Sequence, residues 1–151
     1  MNRNRVFVTG IGLVSPHGND SNKVFDEIYQ GKSAIEMIRS GTPEFGSDVL
    51  VASANFDPTG IISKPHQVFM DRVSQMAVVA AHYALENAGL LSDGTDLSST
   101  AVYTGCALGG AQTMENAYKR YFVNKIRGAR PTTVPLVMPN APAGHISMRN
   151  K

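Results

Sequence analysis

Hydrophobic positions along the chain alternate between two periodicities. Val6 to Thr9 is a β-branched and aromatic run, apolar on both faces as a central parallel strand is, and Gly10-Ile11-Gly12 ends it. Asn19, Asp20 and Ser21 offer capping oxygens ahead of Val24, Phe25, Ile28 and Tyr29 at helical spacing, and Gly31 supplies the stop. From Gly31 to Ser47 the periodicity is lost among Gly, Ser, Pro and charged residues, which predicts a surface excursion, followed by a strand over 49–54. Pro58 and Pro65 bracket a further loop.

Asp71 to Ala88 then carries Val73, Met76, Ala77, Ala80, Ala81, Ala84, Leu85 and Ala88 at intervals of three and four, with Gly89 as terminator. Its stripe is mostly alanine, so this helix is expected inside, close to a neighbouring backbone. A polar turn at 92–99 leads to a second apolar strand, Ala101 to Cys106, and then to a helix over 111–124 with Met114, Ala117, Tyr118 and Tyr121 as its packed face. Pro131, Pro135 and Pro139 predict irregular structure, since each fixes its own φ and restricts the residue before it. A last helix is expected to begin near Pro142. Strands alternating with helices predict an α/β domain with parallel pairing in its central sheet, and no internal repeat is visible.

At 151 residues the chain has the length of one domain, enough to bury roughly 70% of the surface of its unfolded form. A hydrophobic content of 42% against 17% charged argues against disorder and leaves room for a contact face. The net charge of +2 is scattered apart from one cluster, Lys119, Arg120, Lys125, Arg127 and Arg130. Basic and aromatic residues do not interleave as a stacking platform would need, so no nucleic-acid partner is expected. The single cysteine, Cys106, has no partner for an internal disulfide, and no apolar run reads as a signal peptide or approaches the roughly 20 residues of a membrane span. A cytoplasmic location away from the membrane is expected.

Gly10-x-Gly12 after a strand suggests a dinucleotide fingerprint, but position 15 is Ser15, followed by Pro16, His17 and Gly18, where a third glycine and a helix start are required. A tight turn leaving a buried strand is the expected reading, and no cofactor is predicted. Gly105 to Gly110 lacks the Lys-Ser/Thr pair of a phosphate loop. Its glycines permit close approach of another chain or a ligand around Leu108, and simple turn chemistry stays open beside a pocket-lining role. Cys106 is a nucleophile by residue type, yet its apolar strand and the absence of an adjoining basic residue favour a buried, inert thiol. His145 is expected to bond backbone near a helix start, while His17, His66 and His82 have no metal-ligand spacing with it or with Cys106, so no metal is expected.

Four segments carry a resemblance: V-F-V-T-G-I-G-L-V-S-P-H-G-N (6–19), F-M-D-R-V-S-Q-M-A-V-V-A-A-H-Y-A-L-E-N-A-G-L (69–90), T-G-C-A-L-G-G (104–110) and P-N-A-P-A-G-H-I-S-M-R-N (139–150). In this order and at these separations they resemble the opening part of the elongating β-ketoacyl-[acyl-carrier-protein] synthases. The resemblance implies a partial thiolase-like fold: the first half, incomplete, of an α-β-α-β-α layered architecture in which subunits pair across central sheets. Residues 1–151 then read as an N-terminal synthase segment that stops before the catalytic cysteine motif.

In that family a cysteine at a helix N-terminus takes an acyl group, two backbone amides stabilise the oxyanion, and two histidines stabilise the enolate formed by decarboxylation of a malonyl thioester. None of these groups has a matching position here, so no catalytic residue is predicted and the chain alone is expected to be inactive. Carried over position by position, Leu108 matches a wall or gate of the acyl pocket, and Thr133, Val134, Val137 and Met138 match the loop that reaches across the dimer. Thr133 departs from the bulky aromatic often found there, and Pro139 and Pro142 flank Asn140 where apolar residues are usual, which implies a stiffer loop. The implied partners are acyl-carrier protein, for the whole enzyme, and a second subunit, as a homodimer or a pairing with another synthase chain. Two other readings are a noncatalytic partner that shapes the acyl tunnel of a complete synthase and, more weakly, an acyltransferase acting through Cys106.

Overall fold

Local signals place the helices. A computed structural model describes residues 5–39, 47–92 and 94–150. Helix α1, Ser21–Tyr29, starts where the Asp20 carboxylate accepts the backbone N–H groups of Asn22 and Lys23 at 2.9 and 3.1 Å. It ends at Gly31, whose φ of 70° lets Gly31 and Lys32 return their N–H groups to the carbonyls of Ile28 and Glu27.

The following stretch, expected to be irregular, contains a strand. Strand β1, Glu36–Ile38, pairs antiparallel with β2, Val49–Val51, with Met37 opposite Leu50. Residues 40–46 between them lie outside the described residues. Helix α2, Lys64–Gln67, is a single turn, and α3, Arg72–Asn87, follows from Asp71 as N-cap.

Helix α3 is the spine of the structure. Its Val78 and Val79 form the buried centre with Ile62, and Val14, Phe56, Met70, Tyr83 and Ile146 pack around them. The last helix, α6, Ala141–Arg149, lies against α3. The alanine stripe has the close neighbour that its small side chains imply, because the segment around Gly10 and Gly12 crosses it. A Cβ at Gly12 would collide with the Ala80 carbonyl and the Ala84 amide nitrogen, and one at Gly10 would collide with the Ala84 carbonyl and stand 2.8 Å from Ala88 Cβ. Neither glycine has a positive φ, so close approach rather than a tight turn demands them. The turn itself comes later, where Ser15 and Gly18 exchange backbone hydrogen bonds at 2.9 Å.

Neither apolar run expected as a buried strand pairs with another strand among the described residues. Val6 and Val8 are 92% and 83% exposed, and Tyr103 is 93% exposed. The only ladder there is antiparallel, which corrects the expected parallel central sheet. The reason is that apolar, β-branched sequence favours extended backbone, but a strand exists only against a neighbour that completes its hydrogen bonds.

Helix α4, Ala111–Tyr118, passes into a π-helical turn, Lys119–Val123, where the Asn124 N–H returns to the Lys119 carbonyl at 3.0 Å. Its expected packed face is largely open, with Tyr118 and Tyr121 more than half exposed and Phe122 edge-on to Tyr121 at 4.9 Å between centroids. A short helix, α5, Thr133–Val137, forms within the proline-rich stretch. Pro135 is tolerated because it sits in the first turn, where no N–H is owed to the helix.

Candidate functional site

The junction of α3, α4 and α5 is built around one buried carboxylate. Asp71, 5% exposed, accepts the Val73 N–H through Oδ1 at 3.2 Å, and so caps its own helix. Through Oδ2 it accepts the backbone N–H of Thr113 at 2.9 Å and the Thr113 hydroxyl at 2.6 Å, which ties the start of α4 to the start of α3. Both helix N-termini favour a negative charge there. A Cβ at Gly110 would lie 3.0 Å from the Asp71 carboxyl carbon and would collide with the Leu136 carbonyl. At Gly109, φ +61°, a Cβ would collide with the Val137 carbonyl. The two glycines therefore sit flat against the end of α5, and the Gly110 N–H donates to the Val137 carbonyl at 3.3 Å.

Leu108 stands on the turn that this packing creates, 74% exposed. The same turn is closed by the Gly109 N–H, which donates to Cys106 Sγ at 3.2 Å, so the half-buried thiol serves as a backbone acceptor. The structure thus brings the Leu108 turn and Val137 together, with Met138, 42% exposed, immediately after α5. Val134 lies on α5, 65% exposed. Thr133 is half-buried and faces a different space, an open groove of about 830 Å³ between α4 and α5 that Phe69, Thr113, Tyr121 and Leu136 also line. Leu108, Val134, Val137 and Met138 are not among that groove's lining residues. A second groove, about 470 Å³, runs between α3 and α6 over Ala81, Ala84, Leu85, Val102 and Ile146.

Sequence reasoning placed Asp71 at the head of a helix and missed its second role. An aspartate before a helix signals a cap for that helix, whereas its bond to Thr113 spans 42 residues and has no local signature. The histidines stand apart from this junction in the hydrogen-bond pattern. His17 Nδ1 pairs with Glu27 Oε2 at 2.8 Å, and that bond holds the Glu27 carboxyl below its usual range. Partial burial on α6 lowers the pKa of His145. Among the described residues no three His, Cys, Asp or Glu side chains stand close enough to hold a metal ion.

The family model for the beta-ketoacyl synthase N-terminal domain matches residues 3–151. The chain belongs to the beta-ketoacyl synthase family. It is 31% identical over 145 residues, 95% of its length, to a 3-oxoacyl-[acyl-carrier-protein] synthase 2 of Staphylococcus aureus (strain N315), and 33% identical over 144 residues to nodulation protein E of Rhizobium sp. (strain N33). It spans only 35% and 36% of the length of these relatives.

Among solved structures it is similar to a type II PKS ketosynthase, bound to the hexaketide and in complex with its acyl-carrier protein, with TM-score 0.75 and 27% identity over 97% of this chain and 40% of that one. The fold is shared with a beta-ketoacyl synthase from Burkholderia phymatum STM815, TM-score 0.74 at 22% identity over 93% of this chain and 35% of that one. It is shared as well with the ishigamide ketosynthase/chain length factor, TM-score 0.78 at 21% identity over 98% and 37%. The structure of this synthase segment is therefore a partial thiolase-like fold, as the four sequence motifs imply.

Proposed function

We propose that this chain is the N-terminal part of a 3-oxoacyl-[acyl-carrier-protein] synthase of fatty-acid or polyketide synthesis. The whole protein moves an acyl group from a carrier thioester to an enzyme cysteine, with release of the carrier thiol. A malonyl thioester then loses carbon dioxide, and the resulting carbanion attacks the enzyme thioester and expels the cysteine thiolate, leaving a 3-oxoacyl-carrier thioester. The nucleophile and the enolate-stabilising histidines belong to polypeptide beyond these residues. This segment contributes scaffold, an acyl-pocket wall at Leu108, and a subunit-spanning loop at Thr133, Val134, Val137 and Met138. The observation that carries the reading is similarity over residues 3–151, together with the Leu108 turn seated against α5.

Acyl-carrier protein is the partner in this reading, supported by the similar ketosynthase solved with its carrier protein. Homodimerisation or pairing with another synthase chain is supported by the exposed apolar positions Leu108 and Val134, and would be read by analytical ultracentrifugation. A cytoplasmic site is supported by the free thiol of Cys106, and among the described residues no helix is long and apolar enough to cross a membrane.

The test is turnover of the whole protein with acyl- and malonyl-carrier thioesters, followed by carbon dioxide release and product mass. Turnover that survives Cys106→Ser supports the proposal, and acyl mass found on Cys106 after incubation with an acyl thioester would transfer the chemistry to that residue. A protein that turns nothing over yet changes product length when added to a complete synthase would instead be the noncatalytic, tunnel-shaping partner.

A further inference from the structure

Helix α4 begins without a cap of its own. Its N-cap residue is Gly110, which has no side chain to satisfy the orphan N–H groups of the first turn. The oxygen that an N-cap serine or aspartate would normally direct at the third helical residue comes instead from Asp71 on α3, which takes the Thr113 N–H. Gly110 has to remain glycine for this to happen, because a side chain there would enter the space of the Asp71 carboxyl and the Leu136 carbonyl. Helix α3 is the rigid reference of the fold, since it carries Val78 and Val79 into the buried centre.

From Cys106 to Gly110 the backbone is then fixed at several points. Gly109 donates to Cys106 Sγ, Gly110 donates to the Val137 carbonyl, and the first turn of α4 hangs from Asp71. Leu108 is the outward-facing side chain in the middle of this clamp.

We propose that Asp71 is a positioning residue for the Leu108 turn: capping α4 from α3, it sets where the backbone of that turn lies against the end of α5. Its effect on acyl selectivity rests on the reading of Leu108 as pocket wall, and its effect on the turn does not. The site calls for a carboxylate rather than an amide. Both Thr113 donors converge on Oδ2 while the Val73 N–H uses Oδ1, so an asparagine would turn its NH₂ group toward a donor on one side or the other.

The experiment compares Asp71→Asn, Thr113→Val and Thr113→Ser in the complete protein. Hydrogen exchange of residues 108–113 is measured beside kcat/KM for acyl donors of two lengths. Exchange over 108–113 is expected to rise on the order of tenfold in Asp71→Asn and less in Thr113→Val, with Thr113→Ser and α1 unchanged. The ratio of kcat/KM between the two donors is expected to shift about threefold to tenfold in the first two variants and to be retained in Thr113→Ser. Unchanged exchange over 108–113 in both Asp71→Asn and Thr113→Val overturns the proposal. Raised exchange with an unmoved donor ratio in an active enzyme supports Asp71 as the holder of the turn and overturns the reading of Leu108 as pocket wall. If the unsubstituted protein condenses no donor, the synthase reading fails, and exchange by itself decides whether Asp71 holds the turn.

Discussion

Replacing Gly12 with alanine tests whether the N-terminal segment is pressed onto the backbone of α3. The added methyl would collide with the Ala80 carbonyl and the Ala84 amide nitrogen and stand 2.9 Å from the Tyr83 carbonyl carbon, all atoms of an intact helix that has no rotamer with which to yield. Ordinary contacts of this kind begin near about 3.5 Å, so the segment must lift by roughly 1 Å. Overpacking of this sort costs about 1–3 kcal/mol. Lifting also loosens the Ile11 N–H bond to Asn87 Oδ1, 3.0 Å long, which removes about 0.5–1.5 kcal/mol more.

The expected destabilisation of Gly12→Ala is therefore about 1.5–4.5 kcal/mol, read from urea unfolding followed by far-ultraviolet circular dichroism. Gly60→Ala is the matched control, because nothing lies within 4 Å of the added methyl and its φ is not positive, and it should stay within about 0.5 kcal/mol of the parent. Equal stability of Gly12→Ala and Gly60→Ala would refute the close approach and, with it, the account of the alanine stripe.

Other outcomes follow from the same structure. Ser74 is fully buried on α3 with a hydroxyl that has no hydrogen-bond partner among the described residues, so Ser74→Ala should raise stability by about 0.5–2 kcal/mol in the same unfolding assay. Gly144 lies inside α6 with open space at its Cβ position, and Gly144→Ala should stabilise by about 0.5–1 kcal/mol, seen as a higher urea midpoint at unchanged slope. Burial lowers the pKa of His145, so the unfolded chain binds its proton more readily. Its contribution is complete above the ordinary histidine pKa of 6.5 and falls as the pH drops below that value toward the folded one. Stability measured from pH 7.5 to pH 5 should therefore fall less steeply in His145→Gln, and an unchanged slope would show that the burial carries no linkage.

What the sequence by itself determined was the part of the structure written in short-range terms. Asp20 and Gly31 bound α1, and Asp71 and Gly89 bound α3, as their types and spacing imply, because capping and helix bonds join residues two to five apart. The alanine stripe likewise announced a close neighbour. The order of four motifs, not any one site, carried the family.

Tertiary structure alone decided which partner each element meets. Residues 6–9 and 101–106 have strand sequences but no strand beside them among the described residues, whereas 36–38, with no strand signal, pairs because 49–51 returns alongside it. Helix α5 survives Pro135 only through the position of its first turn, and Gly10 and Gly12 turn out to answer to a helix more than sixty residues away. The same holds for Asp71, whose bond to Thr113 closes a loop of 42 residues. Hydrogen bonds and contacts across such separations depend on where the whole chain folds back, and no local propensity encodes that.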